Sequence, residues 1–102
     1  MREYRRYQRL RVLKTAKVWF NDFRSVMNCQ VRDLSQGGAK VRFYNRFVCP
    51  NRVGLYLPYD DVRGEIRLCR IKWRLGTEVG LHFMSAPIKV RYDDVPDLGL
   101  PE

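Results

Sequence analysis

The sequence has one histidine, three cysteines and no long apolar run in its 102 residues. His82 stands alone, so it cannot join the imidazole clusters that metal sites use, and it reads as a structural or solvated residue. Cys29, Cys49 and Cys69 are odd in number and widely spaced, which leaves no CxxC metal or redox pair and suggests reduced thiols. No apolar stretch approaches the roughly 18 to 20 residues of a membrane span. The opening MREYRRYQRL lacks the apolar core of a signal peptide. There is no Ser-His-Asp or Cys-His arrangement, metal cluster or P-loop. The expectation is a soluble, cytoplasmic protein that is not an enzyme, with no membrane span, no metal and no cofactor.

What the chain does have is positive charge. Twenty Lys and Arg against eleven Asp and Glu give a net +9. The excess gathers at one end: Arg2, Arg5, Arg6, Arg9, Arg11, Lys14, Lys17 and Arg24 face only Glu3 and Asp22 in residues 1–24. The last ten residues reverse the sign with Asp93, Asp94, Asp97 and Glu102. A basic head predicts an anionic partner, whether nucleic acid, a nucleotide or an acidic membrane. The length suits one domain over residues 1–102, because splitting it would leave two inadequate cores.

Period-two alternation dominates, so the chain reads as strands. Val12, Ala16, Val18 and Phe20 share a face in the first, with Lys14 the exception, and Asn21-Asp22 supply a turn. Met27, Cys29 and Val31 mark a second strand that ends at Asp33-Leu34-Ser35-Gln36-Gly37-Gly38. Ala39, Val41 and Phe43 mark a third, and Val53, Leu55 and Leu57 a fourth. Residues 65–75 form a fifth whose apolar parity switches from Ile66 and Leu68 to Cys69, Ile71, Trp73 and Leu75. That switch predicts a β-bulge or bend near Leu68 and Cys69. Gly76-Thr77 turn the chain into Val79, Leu81 and Phe83, the sixth. Six short antiparallel strands suggest a small barrel or sandwich. The tail, residues 85–102, holds Pro87, Pro96 and Pro101 and is expected to form at most a short helical turn around residues 89–95.

Two clusters carry the chemistry. Arg5-Arg6-Tyr7-Gln8-Arg9 taken alone reads as a solvated or nucleic-acid-binding arm. Asp33 to Gly38 taken alone reads as a hairpin turn, since Asx-turns and positive φ suit Asp, Ser and Gly. Together, Arg-x-x-x-Arg (Arg5, Arg9) and Asp-x-Ser-x-x-Gly (Asp33, Ser35, Gly38) resemble the signature of the PilZ domain family. The surroundings agree, with a first strand starting at Val12, GGAKVRF after the turn, and Trp73 before VGLHF. The resemblance runs from about Arg5 to Met84.

That resemblance implies a six-stranded antiparallel barrel over residues 11–84 that binds cyclic di-GMP. Residues 1–10, the ligand-binding N-terminal segment in this reading, are too polar and charged to bury well and are expected to be mobile without ligand. The fork of an Arg fits the O6 and N7 of guanine and its plane stacks on purines, so Arg5 and Arg9 would serve base edge and phosphate, with Arg6 adding charge. Asp33 would accept from guanine N1 and N2, and Ser35 would donate or accept at base or phosphate. Gly38 would let backbone and ligand approach, with Gly37 sharing that task or serving only the turn. Trp73 reads either as part of an apolar core row or as a stacking platform; Tyr4 and Tyr7 read as packing or solvated aromatics.

Ligand held between the arginines and the turn would order the head and present it to a downstream protein, in control of motility, biofilm or exopolysaccharide output. The protein would be a monomer or weak dimer. Two alternatives stay open: a small basic barrel that binds RNA or DNA, and a structural adaptor of the same family, against which the intact motif speaks. The proline-containing tail departs from the longer C-terminal helix of many members.

Overall fold

The computed structural model describes the backbone of residues 10–98 and the side chains of residues 14–98. Seven strands follow one another: β1 (Leu10–Phe20), β2 (Ser25–Leu34), β3 (Gly38–Phe43), β4 (Arg52–Pro58), β5 (Arg63–Leu75), β6 (Glu78–Phe83) and β7 (Ile88–Arg91). A 3-10 helix, Tyr92–Asp97, comes last. The sheet runs β4-β1-β2-β3-β6-β5-β7, and β4 also pairs with β5, which closes six antiparallel strands into a barrel. The six strands expected from the sequence are all present. The expected mobile head, residues 1–10, lies almost wholly outside the described residues. Among those described, no helix is long and apolar enough to cross a membrane.

The barrel interior takes one parity of each strand, in the alternation expected of a closed antiparallel sheet. Ala16 and Val18, Cys29 and Val31, Val41 and Phe43, Val53 and Leu55, Cys69, and Val79 and Leu81 are all buried together. Lys14, the exception in its row, is exposed. The three cysteines are free and buried in this core.

A second apolar cluster lies on the other face of the β1, β4 and β5 side. Trp19, Phe23, Tyr56, Ile66 and Val95 are buried there, with Leu68, Val90 and Tyr92 packed against them. It explains why β4 is buried continuously from Val53 to Leu57 rather than on alternate residues. Phe23 reaches the cluster from the β1–β2 turn, where Asn21, Asp22 and Phe23 all take left-handed φ, at 54°, 56° and 62°. Such strain costs on the order of 1–3 kcal/mol per residue and persists only where packing offsets it. Here Phe23 is 1% exposed.

Two expectations are corrected. The parity switch in β5 is real, yet no bulge lies at Leu68 and Cys69, because β4 and β5 stay in unbroken register from Arg52↔Arg70 to Pro58↔Gly64. β5 changes parity because it serves two cores: Ile66 and Leu68 face the outer cluster, and Cys69 and Ile71 face the barrel interior. The bulge comes later, between Ile71 and Trp73 on the β6 side. The tail is also more ordered than a single helical turn. Its Ile88–Arg91 pairs with Arg63–Ile66 of β5, and Val95 caps the outer cluster at 0% exposure.

Candidate functional site

The site forms on the outer face of β3 and β6. In these strands Lys40 stands opposite Gly80 and Gly38 opposite His82, while the intervening Ala39 and Leu81 face the core. Two glycines on one outer face leave a low floor. Around it opens a cleft of about 520 Å³, lined by Asp33, Ser35, Gly37, Gly38, Lys40, Lys72, Trp73, Gly80 and His82 together with Ala39 and Leu81.

Asp33 reaches this face through a bulge. Val31 pairs with Val41, but Asp33 pairs with Lys40, so Arg32 is an extra residue in β2. Strict alternation would set Asp33 in the same row as the buried Cys29 and Val31, facing the core. The bulge turns it outward instead. Its Oδ2 lies 3.2 Å from Lys40 Nζ, in a pair whose side chains are 36% and 16% exposed, Lys40 first. Its Oδ1 is shut off from solvent and has no hydrogen-bond partner among the described residues. A buried acceptor left unsatisfied costs about 1–3 kcal/mol, so this oxygen stands ready to gain from a donor.

Trp73 reaches the cleft in the same way. Ile71 pairs with Leu81 and Trp73 with Gly80, so Lys72 is the extra residue in β5. Sequence parity groups Trp73 with the core-facing Ile71, but the bulge moves it to the outer face, where it is 39% exposed. Trp73 therefore lines the cleft and does not belong to the core row. Gly80 makes room for the indole: a Cβ there would overlap Trp73 Nε1 and lie 2.8 Å from Cδ1.

The turn itself differs from the expectation in one respect. Neither Gly37 nor Gly38 takes a left-handed φ; among the described glycines that conformation belongs to Gly76. The turn is closed by Ser35, whose backbone N–H donates to Gly38 O at 2.9 Å and whose hydroxyl donates to the same oxygen at 3.2 Å. Ser35 Oγ thus keeps its acceptor capacity for a ligand while its proton is in use. Gly38 is required by close approach, since a Cβ would collide with the carbonyl oxygen of Leu81. Gly37 has nothing within 4 Å of such a Cβ, and its carbonyl accepts from Phe83 N at 3.0 Å.

The structure therefore brings Asp33, Ser35, Gly37, Gly38 and Trp73 to one cleft. Arg5, Arg6 and Arg9, with Tyr4 and Tyr7, lie outside the described residues. Sequence reasoning missed Lys40 and Lys72 and left His82 without a role. Their signal was cross-strand register, which alternation alone does not supply.

A family model, the PilZ domain, matches residues 3–92. The chain belongs to the PilZ domain family. Membership implies a receptor that binds cyclic di-GMP, and PilZ domains are in general binding domains rather than enzymes. No curated protein matches this chain in a sequence comparison. In this PilZ barrel the Asp-x-Ser-x-x-Gly residues line the cleft, and the Arg-x-x-x-Arg pair directly precedes β1.

Proposed function

We propose that this protein senses cyclic di-GMP through the cleft on β3 and β6, with Arg5, Arg6 and Arg9 closing over the nucleotide from the chain's start. The observation that carries the proposal is Asp33: a carboxylate in a glycine-floored cleft beside Trp73, with one oxygen buried and without a donor among the described residues. Guanine offers N1–H and N2–H side by side on one edge, and a carboxylate accepts from both. The indole of Trp73 supplies a stacking face, and such stacking is worth about 1–3 kcal/mol per base.

Connectivity supports the role of the arginines. Leu10 pairs with Leu34 and Arg11 with Asp33, so β1 begins beside the Asp33–Gly38 turn. Arg9 is bonded to Leu10, and Arg5 is five residues from it, a span of at most about 18 Å. Both arginines are therefore tethered within reach of the cleft, where their forks would meet guanine O6 and N7 or a phosphate. Pinning of the basic head by ligand is the proposed output. Residues 1–10 would order on binding and offer a new surface to a protein partner in motility, biofilm or exopolysaccharide control.

Calorimetry with cyclic di-GMP tests the reading. Wild-type protein is expected to bind, and Arg9→Ala and Asp33→Ala are each expected to lose roughly 1 to 3 kcal/mol, the value of one bidentate base contact. Amide exchange of residues 2–10 is expected to slow in the same complex, and unchanged exchange would refute the ordering step. Absence of heat with wild type, or full binding in both variants, overturns the receptor reading. Steeply salt-dependent binding of arbitrary oligonucleotides in its place would favour the basic RNA- or DNA-binding barrel.

A further inference from the structure

We infer that Lys40 is a positioning residue that gives the cleft its preference for a base with two adjacent N–H donors. The inference rests on the nucleotide reading above and assigns a role to a residue outside the two motifs. It starts from the β2 bulge. Without the extra Arg32, continuation of the Val31↔Val41 register would set Asp33 opposite Ala39; with it, Asp33 stands opposite Lys40. Arg32 thus has two consequences: Asp33 turns to the outer face, and it gains a cation directly across the ladder.

The pair then constrains the carboxylate. The terminal torsion of Asp is broad, so an unrestrained carboxylate presents its oxygens over a wide range of planes. Lys40 Nζ at 3.2 Å holds Oδ2 and thereby sets the plane. Oδ1 is left as the acceptor, shielded from solvent and with no competing partner among the described residues. A guanine edge needs both oxygens in one plane to receive N1–H and N2–H together. A hypoxanthine edge, which has N1–H but no 2-amino group, needs only one and is less sensitive to that plane. Lys40 should therefore matter more for guanine than for hypoxanthine.

A lysine in a nucleotide cleft has another possible use, as a counter-charge to phosphate. The two roles differ in a measurable way, because both nucleotides carry the same phosphates. A phosphate contact weakens them equally, whereas positioning of Asp33 changes their ratio.

The experiment measures dissociation constants of wild type, Lys40→Met and Lys40→Arg for cyclic di-GMP and for cyclic di-IMP, the same molecule without the two exocyclic amines. Wild type is expected to prefer the guanine ligand by about tenfold, the lower end of a good bidentate contact. Lys40→Met is expected to reduce that ratio to about twofold or less, and Lys40→Arg to restore most of it. In an Asp33→Ala background, Lys40→Met should leave the ratio unchanged, because no carboxylate remains to be set. Lys40→Gln is the second neutral variant, should the methionine perturb folding. Equal weakening of both ligands, with the ratio intact, overturns the inference and leaves the nucleotide reading standing. Failure of wild type to bind either ligand overturns the nucleotide reading itself.

Discussion

Gly80→Ala tests whether the cleft depends on the fit between Trp73 and the floor beneath it. A methyl group at residue 80 would overlap Trp73 Nε1 and lie 2.5 Å from Cε2 and 2.8 Å from Cδ1, so the indole has to move. It can move, because it is 39% exposed and lies at the surface. A Trp side chain offers up to about 250 Å², of which roughly 150 Å² is covered here, and lifting it from β6 would expose about half of that. At about 25 cal/mol per Å² the loss is close to 2 kcal/mol. Replacing a strand glycine by alanine gives back about 0.5–1 kcal/mol. The net cost is about 1 kcal/mol, which in a domain of this size lowers Tm by roughly 4–8 °C. In a Trp73→Ala background the obstacle is gone, and the same substitution should stabilise by about 0.5–1 kcal/mol. The coupling between the two positions, about 2 kcal/mol, is read from urea melts of the four proteins in a double-mutant cycle. Additive effects would refute the account, since they would mean that the methyl group clashes with something other than the indole.

The two glycines of the turn should behave differently from each other. Gly38→Ala drives a Cβ into the backbone oxygen of Leu81, which no side-chain rotation relieves, and should cost about 2–3 kcal/mol. Gly37→Ala meets nothing and should stay within about 0.5 kcal/mol of wild type; equal losses in urea melts would contradict the close-approach argument. The cysteines predict an alkaline loss of stability. Burial pushes the thiols of Cys29 and Cys69 up to about 12 and that of Cys49 up to about 11, from an ordinary value of 9.0. The folded protein keeps protons that the unfolded chain releases first, so stability falls as pH climbs from about 9 towards 11. The slope should be about 1.4 kcal/mol per pH unit for each thiol. Cys29→Ala should flatten that slope in urea melts between those pH values, and an unchanged slope would count against burial as its cause.

Much of the fold was legible because alternation reports one buried face, and six of the strands bury one face in the barrel. The parity switch in β5 was legible too, although its cause was not. A residue row can change faces because the ladder slips or because a second core takes the other side, and the sequence pattern is the same for both. β7 was hidden for a different reason. Ile88-Lys89-Val90-Arg91 does alternate, but Pro87 and Pro96 flank it closely and made the whole tail read as irregular. At the site, the resemblance picked out Asp33, Ser35, Gly38 and Trp73. Lys40, Lys72 and His82 became visible only through their partners across the ladders, Asp33, the bulge before Trp73, and Gly38.

The least legible features are the bulges, and they are also what builds the cleft. Arg32 and Lys72 are polar residues in alternating stretches, and nothing in their chemistry marks them as inserted. Their distribution around the barrel is informative. The β1–β2 ladder shifts register between Arg11 and Lys14, β2–β3 between Val31 and Asp33, and β5–β6 between Ile71 and Trp73. On the far side, β1–β4 and β4–β5 keep an unbroken register, as does β3–β6, which forms the floor. Bulges that served only to bend strands around a closed barrel would have no reason to avoid β4. Each of these instead borders the cleft or the point where the arginines join β1. The second and third reverse the direction of the residue that follows, bringing Asp33 and Trp73 out of core rows and onto one surface. An inserted residue forfeits regular ladder pairing, and here it re-aims a side chain that alternation would have buried. The same local irregularity that defeats a period-two reading of the sequence is therefore the device that places a carboxylate and an indole on either side of a glycine floor.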